Sequence, residues 1–192
     1  MTGKTTSPLR YMIAALVVAL LQTGVVGYMV SSRAAILRSG TEILLKTVPV
    51  DPRDLLRGDY VVLNYEISTI PADKVVGERP PQSGNHGLRV RLQKGADDYW
   101  SVSEASFEPL PPQPDSVVAS GTAFYDPSWG DAPLIAKYGI ERFYVPEGQG
   151  RDLESARGTE QLAVAVRVSQ AGQAQIRALL LDGKPVHDEP LY

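Results

Sequence analysis

Serines, lysines, carboxylates and two histidines are the side chains here that could carry out covalent or acid–base chemistry, because the chain has no cysteine. That absence removes a thiolate nucleophile, thiolate metal sites, disulfides and a lipid-modified N-terminal cysteine. Ser31, Ser32 and Ser39 with Lys74, Lys94 and Lys137 are the raw material of a serine–lysine dyad, in which a neutral lysine takes the serine proton. The serines lack an S-M-x-P-T-like context, and the lysines sit near loops rather than inside apolar strands. A serine–lysine peptidase therefore ranks third among the functional readings. Asp51, Asp54 and Asp59 could ligate a hard cation, but their spacing matches no known loop. Arg53 and Arg57 offer counter-charges, and helix capping with ion pairing accounts for the three carboxylates. Gly148-Gln149-Gly150 before a helix start could bind an anion, yet no P-loop or G-x-G-x-x-G pattern completes it. Arg57-Gly58-Asp59 spells an adhesion tripeptide that a turn-to-strand junction produces by coincidence. His86 and His187 alone do not make a zinc site. No catalytic, cofactor-binding or metal-binding residue is assigned.

Recognition has better candidates. The segment Tyr138–Gly150 concentrates Tyr138, Phe143 and Tyr144 beside Glu141, Arg142 and Glu147. Exposed aromatics on a glycine-bearing loop could anchor a peptide or a glycan. The rival reading is an edge hairpin packed on the core. Tyr65 shares an apolar strand face with Val61, Leu63 and Ile67, which marks it as core. Tyr60 joins Val62 on the opposite face, which is either a second buried layer or a binding surface.

The elements that must position these residues fall into two unequal parts. The 192 residues carry a net charge of -3 and are 43% hydrophobic, which excludes a polybasic nucleic-acid binder. Residues 1–40 hold Lys4, Arg10, Arg33 and Arg38 and no acid, so residues 41–192 carry -7. Within the basic part, Tyr11–Val30 is an uncharged apolar stretch of 20 residues. As a helix it spans roughly 30 Å, the thickness of a bilayer's hydrocarbon core. Tyr11 and Tyr28 lie near its ends, where amphipathic rings favour headgroups. A cleaved signal peptide would have a shorter apolar region and a small-residue cleavage site, which Ser31-Ser32-Arg33 does not supply. The expected organisation is a cytoplasmic tail at 1–10, a transmembrane anchor at 11–30 whose helix continues to about 39, and an exported β-rich domain at 41–192. The flanking cations are nearly balanced, so the N-inside orientation rests mainly on the short tail. Ala15, Ala19, Thr23 and Gly27 recur every four residues on the anchor, with Gly24 and Gln22 beside them. Small residues at this spacing let another helix approach closely, and Gln22 prefers a polar partner to lipid.

Downstream, Gly40 ends the helix and Thr41–Val50 reads as a strand. Asp51–Gly58 reads as one helical turn, and Asp59–Ser68 as the clearest strand of all. Leu88–Lys94 with Asp98–Ala105, and Leu162–Ser169 with Gln173–Leu181, read as hairpins. Glu108–Pro114 is a stiff proline-rich connector, Ser116–Tyr125 a strand, Leu134–Val145 two short strands about Tyr138-Gly139, and Arg151–Arg157 a short helix. Eight to ten strands without βαβ alternation predict a mainly β fold: an antiparallel sandwich or a partly open barrel with short helical turns.

The run Gly58-Asp59-Tyr60-Val61-Val62-Leu63-Asn64-Tyr65 matches G-D-Y-x-x-L-x-Y at all five fixed positions: Gly58, Asp59, Tyr60, Leu63 and Tyr65. With VPVDPRDLLRGDYVVLNYEIS, YGIERFYVPEGQGRDLE and a closing LLLDG around it, the chain resembles the bacterial GDYXXLXY family over nearly its whole length. The resemblance implies an exported domain on one membrane helix, encoded with or fused to multi-pass membrane proteins. It carries over no catalytic residues and no cofactor. The expected function is a non-enzymatic accessory or scaffold subunit in the inner membrane, with a multi-pass membrane protein as partner. The alternative is an exported ligand- or envelope-binding module.

Overall fold

A computed structural model describes residues 8–48, 60–144 and 162–188. The expected turn at 51–58, the short helix at 151–157, the Gly148–Gly150 turn and most of the 1–10 tail lie outside the described residues. The chain divides into two units, residues 1–35 and 36–192.

Helix α1, Pro8–Ser39, forms where the apolar run predicts it and continues past it as expected. It stops at Gly40, whose N–H donates to the Ile36 carbonyl at 2.8 Å. A Cβ on Gly40 would lie 2.6 Å from that same oxygen, so only glycine fits this exit.

The second unit is mainly β. Twelve strands occur among the described residues: β1 Thr41–Val48, β2 Tyr60–Val62, β3 Asn64–Tyr65, β4 Thr69–Ile70, β5 Gly84–Lys94 and β6 Trp100–Ser106, followed by β7 Ser116–Tyr125, β8 Leu134–Lys137, β9 Arg142–Tyr144, β10 Leu162–Val168, β11 Ala174–Leu181 and β12 Lys184–Asp188. One five-stranded sheet runs β12-β11-β10-β1-β3, the other β4-β8-β7-β5-β6, and β2 with β9 makes a separate ribbon. All strand pairs are antiparallel, in keeping with the short connections. One continuous core takes Ile43, Leu45, Val164 and Leu179 from the first sheet and Leu88, Val90, Leu92 and Ala119 from the second. Strand β10 is buried on both faces: valines point one way, and Ala163 and Ala165 the other.

One expectation needs correction, and two others gain detail. The single strand Asp59–Ser68 is broken. Its side-chain alternation survives, with Leu63, Tyr65 and Ile67 all buried. Its backbone changes partner, however: β2 pairs with β9, β3 with β1, and β4 with β8 after a 3-10 turn at Glu66–Ser68. This segment therefore runs from the edge of one sheet to the edge of the other, a corner that no straight ten-residue strand could make. The two strands about Tyr138-Gly139 do form, but β8 pairs with β7 and β4 while β9 pairs with β2. Finally, β12 adds an edge strand past the expected closing hairpin. Its turn is Asp182-Gly183, both at positive φ, the dipeptide that such a two-residue turn favours.

A close contact clasps the sheets. The β10–β11 turn lays the Gly172 carbonyl against the Ser120 N–H of β7 at 2.7 Å. Gly172 has φ +86, and a Cβ there would lie 2.9 Å from the Val118 carbonyl oxygen and overlap the Ser120 hydroxyl.

Candidate functional site

On α1, Ala15, Ala19, Thr23 and Gly27 are all exposed. The Thr23 hydroxyl donates to the Ala19 carbonyl at 2.9 Å, which satisfies it within the helix. A Cβ at Gly24 or Gly27 would meet nothing within 4 Å. Gln22, Thr23, Val26 and Gly27 line a shallow groove on this surface. Among the described residues this one helix is long and apolar enough to cross a membrane.

Gly58 and Asp59 lie outside the described residues, as do Asp51, Asp54 and the side chain of Tyr60. The backbone of Tyr60 pairs with that of Tyr144. Leu63 is fully buried, and its N–H donates to the Glu141 carbonyl at 2.8 Å. The buried Tyr65 hydroxyl donates to the Ile140 carbonyl at 2.7 Å. Tyr138 returns the arrangement, its hydroxyl donating to the Ile67 carbonyl at 2.7 Å. These two bonds cross-brace the corner segment against the 138–141 turn. Burial pushes both phenols above their ordinary range, and the Glu141 charge adds to the effect. The Glu141 carboxylate in turn accepts from the Tyr138 and Gly139 N–H groups at 2.5 and 3.0 Å, holding Gly139 at φ +81. The described motif residues thus serve packing, and the sequence reading had missed the reciprocal brace.

Of the aromatic recognition candidates, Tyr138 and Phe143 are buried and Tyr144 is 69% exposed. A second aromatic surface was not read from the sequence. Phe124 and Trp129, 45% and 48% exposed, stand with ring centroids 5.5 Å apart, and exposed Ile135 neighbours Ala136, the partner of Ala123 across the β7–β8 pair. Phe124 could have been found, because it lies one residue out of phase with the inward Ala123 and Tyr125.

The remaining chemistry-bearing groups are dispersed. Lys74 donates to the Val102 carbonyl and Lys94 pairs with Asp98. Ser32 donates to the Met29 carbonyl within α1. His86 lies on β5 and bonds Gln82, while His187 lies on β12 against the Phe143 ring, so the histidines belong to different sheets. No cluster of three or more metal-ligating side chains occurs among the described residues.

A groove of about 760 Å³ lies in the β unit. It is bounded by the β10–β11 turn, the start of β7, the proline-rich connector and the junction of α1 with β1, with Arg89 in its wall. Arg89 also lines a smaller cavity of about 360 Å³ beside His86 and Phe107. Two arginines, Arg89 and Arg91, project from the same face of β5, opposite the core residues Leu88, Val90 and Leu92. They have different fates. Arg91 is 1% exposed and uses all three nitrogens: Nε on Glu104 at 2.5 Å, Nη1 on the Ser116 hydroxyl at 3.1 Å and Nη2 on the Pro111 carbonyl at 2.5 Å. It pins the connector to the sheet. Arg89 is half-buried and, among the described residues, is held through Nη1 alone, by the Ser120 hydroxyl and the Ala171 carbonyl.

A family model described as GDYXXLXY protein matches residues 22–179, most of the chain. No curated protein and no solved structure matches it.

Proposed function

Starting from the fact that the chain belongs to the GDYXXLXY family, we propose that it is a single-pass membrane protein serving as a non-enzymatic accessory or scaffold subunit of a membrane complex. A family domain with one N-terminal apolar helix fits a membrane-anchored protein. In this reading residues 1–10 stay in the cytoplasm, 11–30 anchor the chain in the inner membrane, and 41–192 stand on the exported side. The observation that carries the role is the exposed, open face of α1. Gly24 and Gly27 leave room for a close neighbour, and Gln22 offers a polar group that lipid cannot pair. A multi-pass partner packing there would satisfy both. Purification in mild detergent tests this against an Ala15→Leu/Ala19→Leu/Gly27→Leu variant. The partner should be lost from the variant, and an unchanged set of co-purifying proteins would overturn the role. Reporter fusions at Tyr192 test the orientation. A second reading, an exported ligand-binding module, is favoured by the groove at Arg89.

A further inference from the structure

We propose that the groove at Arg89 captures the free C-terminal carboxylate of a peptide whose last residue is apolar. The two arginines of β5 differ in what their nitrogens hold. Arg91 has every nitrogen engaged by the protein. Arg89 is fixed at Nη1, while Nε and Nη2 have no protein acceptor among the described residues. The Nε–Nη2 edge is the fork that grips a carboxylate with two parallel hydrogen bonds. A guanidinium already held at its far nitrogen loses little freedom when it does so.

The lining fits such a ligand. Among the described residues no Asp or Glu lines the groove, although residues 41–192 carry -7 overall. One fixed cation among the described lining residues, in an acidic domain, matches a monoanion better than a doubly charged phosphate. Leu110, Pro112, Val117 and Val118 provide an apolar wall for a terminal side chain. Thr41, Gln113 and Gln170 add polar side chains for the adjoining peptide bond. The connector contributes Pro109, Pro111, Pro112 and Pro114, which have no N–H, so this wall cannot accept an added strand along its length. The structure therefore favours insertion of a chain end. A volume of about 760 Å³ is the size of a small-ligand site and holds the last residues of a peptide.

The test uses the full chain in detergent micelles and the probe N-acetyl-Ala-Ala-Leu, as the free acid and as the C-terminal amide, with binding followed by calorimetry. The acid should bind saturably and the amide roughly tenfold more weakly or worse. Arg89→Gln should abolish the preference for the acid. Leu110→Trp, which fills the apolar wall and leaves Arg89 in the sequence, should weaken both forms. It also keeps the test decisive if Arg89→Gln unfolds. Absence of saturable binding by the acid, equal binding of acid and amide, or unaltered binding in Leu110→Trp would overturn the proposal. Tighter binding of inorganic phosphate or of octanoate than of the peptide would overturn it in favour of a phosphate or fatty-acid site.

Discussion

Two tyrosines and one glycine hold the β unit's decisive contacts. Tyr65 and Tyr138 each place a buried hydroxyl on a carbonyl of the other's segment. Tyr65→Phe or Tyr138→Phe leaves a buried carbonyl without its donor, and each should cost about 1–3 kcal/mol in chemical denaturation. The same burial raises both phenol pKa values. Ionisation is thus disfavoured in the folded state. The stability from this source is complete below the free-tyrosine pKa of about 10 and is lost as pH rises above it. Alkaline titration should show these two tyrosinates appearing only with unfolding, and the double Phe variant should flatten that alkaline loss. Gly172 is constrained twice, by φ +86 and by the approach of Ser120 and Val118. Gly172→Ala should cost more than about 1 kcal/mol and lower the thermal midpoint. Substitution at Gly139, where φ is positive but a Cβ meets nothing within 4 Å, should cost less.

At the scale of elements, the proline-rich connector depends on one strand. Residues 108–115 have little scope for backbone pairing, and Arg91 holds them directly through Pro111 and indirectly through Ser116, whose hydroxyl donates to the Gln113 carbonyl. Arg91→Ala would leave Glu104 and the Pro111 carbonyl without their cation. Measured by urea unfolding, it should cost about 3–5 kcal/mol. Protease cleavage within 108–115 should accelerate as well. The strand pattern of β5 puts Arg89 and Arg91 on one outward face, and that much is legible in the alternation with Leu88, Val90 and Leu92. That a connector some twenty residues later covers one arginine and leaves the other beside a groove is not legible there. The corner segment makes the same point. Its alternating burial follows from sequence, whereas its three successive pairing partners do not.

At the scale of the whole molecule, the boundary between the two units falls inside α1, after Ala35. Ile36 and Leu37 are buried and belong to the second unit. A fragment starting at Ile36 should therefore unfold cooperatively and be more stable than one starting at Gly40. The difference should be about 1.5–3 kcal/mol for each of the two side chains, read from paired denaturation curves. Sequence by itself determined the apolar helix, its stop at Gly40, the antiparallel mainly β character and most strand positions. These follow from local causes: an unbroken apolar run, a period of two, and glycine or proline at turns. Only the tertiary structure decided which strands pair, that Tyr138 and Phe143 turn inward while Tyr144 stays exposed, and that Arg91 is sealed while Arg89 lines a groove. Pairing and burial are set by what lies across the core. Chain segments far apart in sequence compete for the same edge or face, and the winner depends on packing that no local pattern encodes.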